Sequence, residues 1–150
     1  MSEIVTNSKA RRDYHILDTV EAGLVLRGTE VKSLRAGRGQ INDAFARVDA
    51  KGQVFLYNTH IEEYSYGNIH NHDPKSCRKL LLHKSEIRWL QEQTTVKGHS
   101  LIPLTLYWKN RKVKVALAVA KGKAEYDKRE TIKERESDRE LRRATMRHVK

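Results

Sequence analysis

Cations and flat rings recur together along this chain. Lys9, Arg11 and Arg12 lead into Tyr14; Lys32 and Arg35 stand three apart; Arg78 and Lys79 are adjacent; Lys112 and Lys114 follow closely on Tyr107 and Trp108. Phosphates call for the cations and unstacked bases for the rings, so the pairing points to nucleic acid, and to RNA in particular. The alternative is a solvated outer face, which any strand with alternating residues needs. Cations outnumber anions in nearly every element, which favours RNA.

Other chemistry finds less support. The run HNHDPKSC gathers His70, His72, Asp73 and Cys77, four groups able to bind a metal, but their spacing matches no standard zinc unit and no second ligand pair is visible. An exposed polar loop accounts for it, and no metal or other cofactor is expected. Phosphate-loop, nucleophile-elbow and His-Glu-x-x-His patterns are absent, and the neighbouring Glu62 and Glu63 would point to opposite faces of a strand. The sequence does not read as an enzyme.

Thirty Lys and Arg against nineteen Asp and Glu give a formal charge of +11, which calls for a polyanionic partner. A membrane surface is a weaker match, because neither terminus shows a basic amphipathic helix. No apolar run is long enough to span a bilayer, the first residues carry no apolar leader, and a lone Cys77 fits a reducing compartment, so a cytoplasmic protein is expected.

The elements that must position these groups can be read from periodicity. Residues 1–13 are polar and expected to form a flexible basic segment. Two strands follow from Tyr14, with a bulge or bend at Glu21–Gly23. The stretch GTEVKSLRAG reads as a short helix capped by Thr29 and stopped by glycines 37 and 39. A hairpin turns at Lys51-Gly52, and residues 62–76 read as a long polar loop. CRKLLLHKSEIRWLQEQ places Leu81, Ile87 and Leu90 at helical spacings, predicting one or two helices up to Gly98. Alternation at Leu104, Leu106 and Trp108, a turn at 109–111, and alternation at Val113, Val115, Leu117 and Val119 predict a second hairpin, with Lys112 and Lys114 on the face opposite the valines.

About six strands without regular strand–helix alternation predict a mainly β protein, an OB-like antiparallel β-barrel with a few short helices over residues 14–121, although alternation alone is shared with other small β folds. Residues 122–150 differ. From Lys121 to Lys150 there are eleven basic and seven acidic residues and no continuous apolar stripe, so the tail is expected to be disordered alone. As a helix it would place Lys128, Arg135, Arg139, Arg142, Arg143 and Lys150 to one side, with Glu136 and Glu140 near them, stacking like charges at Arg135, Arg139 and Arg143. A polyanion along that face would remove the repulsion, so the tail is expected to fold on contact with RNA.

Five segments, NSKARRDYHI, EAGLVLRGTEVKSLRAGRGQI, DPKSCRKLLLHKSEI, LIPLTLYWKNRKVKV and AKGKAEYDKRETIKERE, resemble the successive motifs of the small protein B, or SsrA-binding protein, family. The resemblance runs from about Asn7 to beyond Glu136. It implies an OB-type barrel, a non-enzymatic RNA-binding protein of bacteria, and transfer-messenger RNA as partner, bound through its tRNA-like domain. It also implies delivery of the alanine-charged RNA, with elongation factor Tu, to stalled ribosomes for trans-translation. Alanyl-tRNA synthetase would be met only through the RNA, and the protein would act as a monomer.

The same resemblance places Asn7, Glu21, Leu81 and Lys114 on the RNA-binding face, beside the Lys9, Arg11, Lys32, Arg35, Arg78 and Lys79 selected by charge. Glu21 would order the site or accept hydrogen bonds, Leu81 would pack on RNA or hold a helix, and Lys114 would be an outward cation. It assigns Lys121, Gly122, Lys123, Tyr126, Asp127, Lys128 and Arg129 to the ribosome, near the decoding centre, with a tail that becomes helical in the empty messenger channel. Two departures stand out: Ala124 replaces the usual second Lys after Gly-Lys, and Ser76 and Cys77 dilute the basic run before RKLLL. A general structured-RNA-binding or ribosome-associated protein is the alternative.

Overall fold

The computed structural model describes residues 2–67 and 71–123. In chain order it contains β1 (Ser2–Thr6), α1 (Ala10–Asp13), β2 (Tyr14–Leu24), α2 (Gly28–Arg35), β3 (Gly39–Gln40), β4 (Phe45–Val48), β5 (Val54–Tyr57), β6 (His60–Ile61), β7 (Arg78–Leu81), α3 (Lys84–Thr95), β8 (His99–Lys109) and β9 (Lys112–Gly122). The main sheet runs β1-β8-β4-β5-β7-β2-β9, and β8 also pairs with β9. That last pairing joins the two ends of the series β8-β4-β5-β7-β2-β9, so six strands close into an antiparallel barrel and no ladder edge is left between them.

Alternation sets what fills the barrel. Val113, Val115, Leu117 and Val119 of β9 face Leu101 and Leu106 of β8, Leu56 and Val54 of β5, and Leu80 of β7, all nearly inaccessible to solvent. Helix α3 packs across β4, β8 and β9, and its Leu90 is fully buried in the same cluster. A second, smaller cluster of Ala10, Ile102, Ala118 and Ala120 lies where α1 covers the sheet, with Tyr14 and Ile16 packed against it.

The β8–β9 hairpin forms as its alternation predicts from Leu106 onward, but the register shifts between Pro103 and Thr105, so Leu104 packs with Ala10 and Ile102 rather than beside Leu106. Asn110 and Arg111 both take positive φ, 51° and 64°, which matches a tight turn to the right-handed twist of the strands. Lys109 pairs with Lys112, Trp108 with Val113 and Tyr107 with Lys114. The β4–β5 hairpin also forms, with the Asp49 carboxylate accepting the N–H groups of Lys51 and Gln53, and Gly52 at φ 76°.

Three expectations are corrected. Residues 1–13 are not simply a flexible arm: β1 pairs antiparallel with Thr105–Trp108 of β8, and α1 packs by Ala10. The pair of strands after Tyr14 is one eleven-residue strand, whose register shifts between Ile16 and Asp18 rather than at Glu21–Gly23, where small Ala22 and Gly23 stay in the ladder. The helical reading of RKLL gives way to β7, whose alternating Arg78 and Leu80 point inward while Lys79 and Leu81 point out; the helix begins only after His83, whose N–H is accepted by Glu86 at 3.0 Å.

Candidate nucleic-acid interface

A row of four residues crosses the outer face of the barrel. Tyr107 on β8 is in register with Lys114 on β9, Lys114 with Gly23 on β2, and Gly23 with Leu81 on β7. Each neighbouring strand lies about 5 Å from the next, so one ring, one cation, one buried glycine and one exposed leucine stand side by side. Leu81 is 54% exposed, unusual for a leucine on a paired strand. Gly23 makes the closeness possible: a Cβ there would stand 3.2 Å from Leu81 Cβ and 3.4 Å from Lys114 Nζ.

Glu21 lies two residues before Gly23, on the same outward face. Its carboxylate accepts the phenol proton of Tyr107 at 2.5 Å and the Lys109 ammonium at 3.1 and 3.2 Å. The phenol bond first, then Lys109 and more weakly Lys114, hold the Glu21 carboxyl below its ordinary range. Burial, reinforced by the same bond, drives the Tyr107 phenol well above its ordinary value. Glu21 therefore does not meet a phosphate. It occupies Lys109 and fixes the phenol, leaving Lys114 directed along the row with no acid within bonding distance of it among the described residues.

Lys32 and Arg35 extend the cationic surface from α2. Lys32 Nζ stands 5.2 Å from the centroid of the Tyr64 ring, and the Arg35 guanidinium 5.9 Å from that of Trp108. Ring faces attract cations without neutralising them, so both stay available to a polyanion. Lys9 is within 3.7 Å of Asp43, Arg11 is exposed on α1, and Lys79 is exposed on β7 next to Leu81.

Two predicted contacts prove architectural. Arg78 is 3% exposed and all five of its N–H groups are spent: Nε on Glu30, Nη1 on the carbonyls of Thr59 and Ser76, Nη2 on those of Asp73 and Pro74. It reaches no external phosphate. Instead it pins the 73–76 turn to α2, since Glu30 also accepts the Arg27 N–H at the start of that helix. Asn7 is likewise buried. Its amide donates to the Pro103 carbonyl at 2.9 Å and its oxygen accepts the Lys9 N–H, fixing the step from β1 to α1.

His72 corrects the exposed-loop reading of HNHDPKSC. It is 2% exposed, with its two ring nitrogens against Thr29 Oγ1 and the Ile61 carbonyl, both at 2.8 Å. Thr29 thus binds His72 rather than capping its helix. No group of three metal-binding side chains occurs among the described residues.

At the end of β9, Lys121 is exposed, Gly122 pairs with Tyr14, and Lys123 donates from its backbone to the Asp13 carbonyl and from Nζ to the Arg11 carbonyl. Lys123, the last described residue, is thereby held beside α1. Tyr126, Asp127, Lys128, Arg129, Arg135 and Arg139, with Ala124, lie outside the described residues. Among the described residues, no helix is long and apolar enough to cross a membrane.

The sequence places Tyr107 near the cations but carries no sign of the parts played by Gly23 and Lys109. A two-residue turn at Asn110-Arg111 would have paired Tyr107 with Lys114 directly; the pairing of Gly23 with both Lys114 and Leu81 depends on strands far apart in sequence.

Together these features define a small, mainly antiparallel β-barrel protein with a ring-and-cation row on its outer face. The SmpB protein family model matches residues 4–147, and the chain belongs to that family. It is 55% identical over 141 residues to an SsrA-binding protein of Halothermothrix orenii, covering 94% of this chain and 90% of that one. It is also 55% identical over 144 residues to an SsrA-binding protein of Thermobifida fusca, covering 96% and 89%. A solved chain described as "tmRNA-SmpB: a journey to the center of the bacterial ribosome" superposes with a TM-score of 0.69 at 44% identity, over 87% of this chain and 95% of that one.

Proposed function

We propose that this protein is a non-enzymatic adaptor that binds the tRNA-like domain of transfer-messenger RNA and brings it to stalled ribosomes for trans-translation. The observation that carries the reading is the Tyr107–Lys114–Gly23–Leu81 row: one directed cation beside an exposed leucine, brought close by the glycine between them, with Glu21 holding the neighbouring phenol and Lys109 in place. Phosphate is met by Lys114, while the exposed Leu81 offers an apolar surface to a sugar or base and Gly23 beneath them lets the two stand close. Lys79, Lys32, Arg35, Lys9 and Arg11 supply the long-range attraction.

On the ribosome, Lys121, Gly122 and Lys123 lead the tail from the barrel, and Tyr126, Asp127, Lys128, Arg129, Arg135 and Arg139 engage the decoding centre and messenger channel. Elongation factor Tu and alanyl-tRNA synthetase act through the RNA, and the protein works as a cytoplasmic monomer. Sequence membership supports this reading, as does the transfer-messenger RNA and ribosome setting of the superposing chain. A competition gel shift tests it: unrelated tRNA should displace the tRNA-like domain only at large excess. Equal displacement would reduce the protein to a general binder of structured RNA.

A further inference from the structure

The chain has only two phenylalanines, and neither is in the core. Phe45 on β4 and Phe55 on β5 alternate with the buried Ala46, Val54 and Leu56, so both rings stand on the outer face of the barrel. Phe45 is in register with Tyr57, and their rings stack at 5.4 Å between centroids and 20° between planes. Arg47 is in register with Phe55, with its guanidinium 5.0 Å from the Phe45 centroid. Phe55 is in register on its other side with Lys79. Arg47, Phe55 and Lys79 therefore cross three strands in one line, with the Phe45–Tyr57 stack beside it.

Cross-strand stacking gives the Phe45–Tyr57 pair a structural role, yet all three rings are only half-buried and keep part of their apolar area in water. Bases have two apolar faces and an anionic backbone, and this surface has rings flanked by cations at both ends. None of the residues of β4, β5 or β7 is acidic. Lys79 and Leu81 are two apart on β7, so this face continues into the row at Leu81, Gly23 and Lys114.

We propose that the outer face of β4, β5 and β7 is a second RNA-contact surface, on which Phe55 and the Phe45–Tyr57 stack hold unpaired bases of a single-stranded segment while Arg47 and Lys79 take its phosphates. It stands beside the adaptor reading and does not depend on it. Stacking of this kind tolerates any base, so the surface selects for single-strandedness rather than sequence.

The test uses the full chain and a short, unstructured single-stranded RNA carrying one 2-aminopurine, read by anisotropy and by fluorescence quenching on stacking. The wild type should bind and quench. Phe55→Leu with Tyr57→Leu keeps apolar bulk but removes flat faces, and should weaken binding by about fivefold or more and abolish the quench. Lys114→Gln should leave quenching intact while weakening binding to the tRNA-like domain. Absence of binding by the wild type, binding without quenching, or unchanged affinity in a folded double ring variant would overturn the proposal. If that variant fails to fold, the wild-type quench and its loss in Arg47→Gln with Lys79→Gln decide the matter. Failure of the adaptor reading would show separately, as weak binding of the tRNA-like domain by a wild type that still quenches.

Discussion

Tyr107 on β8 donates its phenol proton to the Glu21 carboxylate on β2 at 2.5 Å, reaching over the intervening strand β9 that carries Lys114. The bond ties the two strands flanking Lys114 to each other. Tyr107→Phe should raise the Glu21 carboxyl towards its ordinary value of 4.5, since the phenol bond is the largest influence depressing it. A carboxyl whose folded-state pKa is depressed stabilises the fold above its unfolded value and loses that contribution as pH falls through the folded one. The stability gap between wild type and Tyr107→Phe should therefore be present at neutral pH and narrow as pH falls below the ordinary value of 4.5. Carboxyl carbon NMR across an acid titration checks the shift; an unchanged Glu21 midpoint in the variant would refute the coupling.

Gly23→Ala should weaken RNA binding without unfolding the barrel. The added methyl meets Leu81 Cβ at 3.2 Å and Lys114 Nζ at 3.4 Å, so Leu81 or the flexible lysine must move aside. Replacing glycine in a strand interior itself stabilises by roughly 0.5–1 kcal/mol, offsetting much of the crowding. Urea unfolding should change little, and affinity for the tRNA-like domain should fall between those of the wild type and Lys114→Gln. Wild-type affinity in Gly23→Ala would mean that the close approach of Leu81 and Lys114 plays no part in binding.

Arg78→Met should do the reverse. Removing one partner of a buried ion pair costs about 3–5 kcal/mol, because the other charge stays buried and uncompensated. Here the Thr59 and Ser76 carbonyls also lose the Arg78 donor, while those of Asp73 and Pro74 keep the N–H groups of Ser76 and Ile61. Adding Glu30→Gln to Arg78→Met should cost less than the sum of the two single changes, since both singles break the same pair. Urea unfolding of the four proteins measures this, and strict additivity would contradict the pairing.

Much of this frame is visible in the sequence. The β8–β9 hairpin is legible because one face of β9 is buried from Val113 to Val119, so apolar residues recur there every second position, and the outward placement of Lys112 and Lys114 follows; the register shift at Leu104 of β8 leaves no such trace. β7 is not legible: RKLL runs straight into the true helix, and Leu81, Ile87 and Leu90 happen to match a helical period. Only pairing with β5 and β2 makes it a strand. Asn7 and Arg78 show the sharper limit, because a polar side chain satisfied by backbone carbonyls remote in sequence looks, in one dimension, like a surface residue waiting for a ligand. Gly23 has the opposite fate: it reads as a break and proves to be a fitting point, since its neighbour Leu81 lies nearly sixty residues away.

Truncation separates the two proposed surfaces. Deleting residues 130–150 removes tail cations but none of the barrel row, so binding to the free tRNA-like domain should stay close to that of the full chain while tagging on stalled ribosomes is lost. A large fall in free-RNA affinity, measured by gel shift at fixed salt, would contradict that division.

The central claim is that Lys114 meets a phosphate of a folded RNA from the row on the outer face. Its most direct test is the salt dependence of affinity for the tRNA-like domain, wild type against Lys114→Gln, with urea unfolding to show equal stability. Losing one phosphate contact should weaken binding at low salt and make the slope of log affinity against log salt shallower by about one. Parallel lines of equal height would place Lys114 outside the interface and contradict the account.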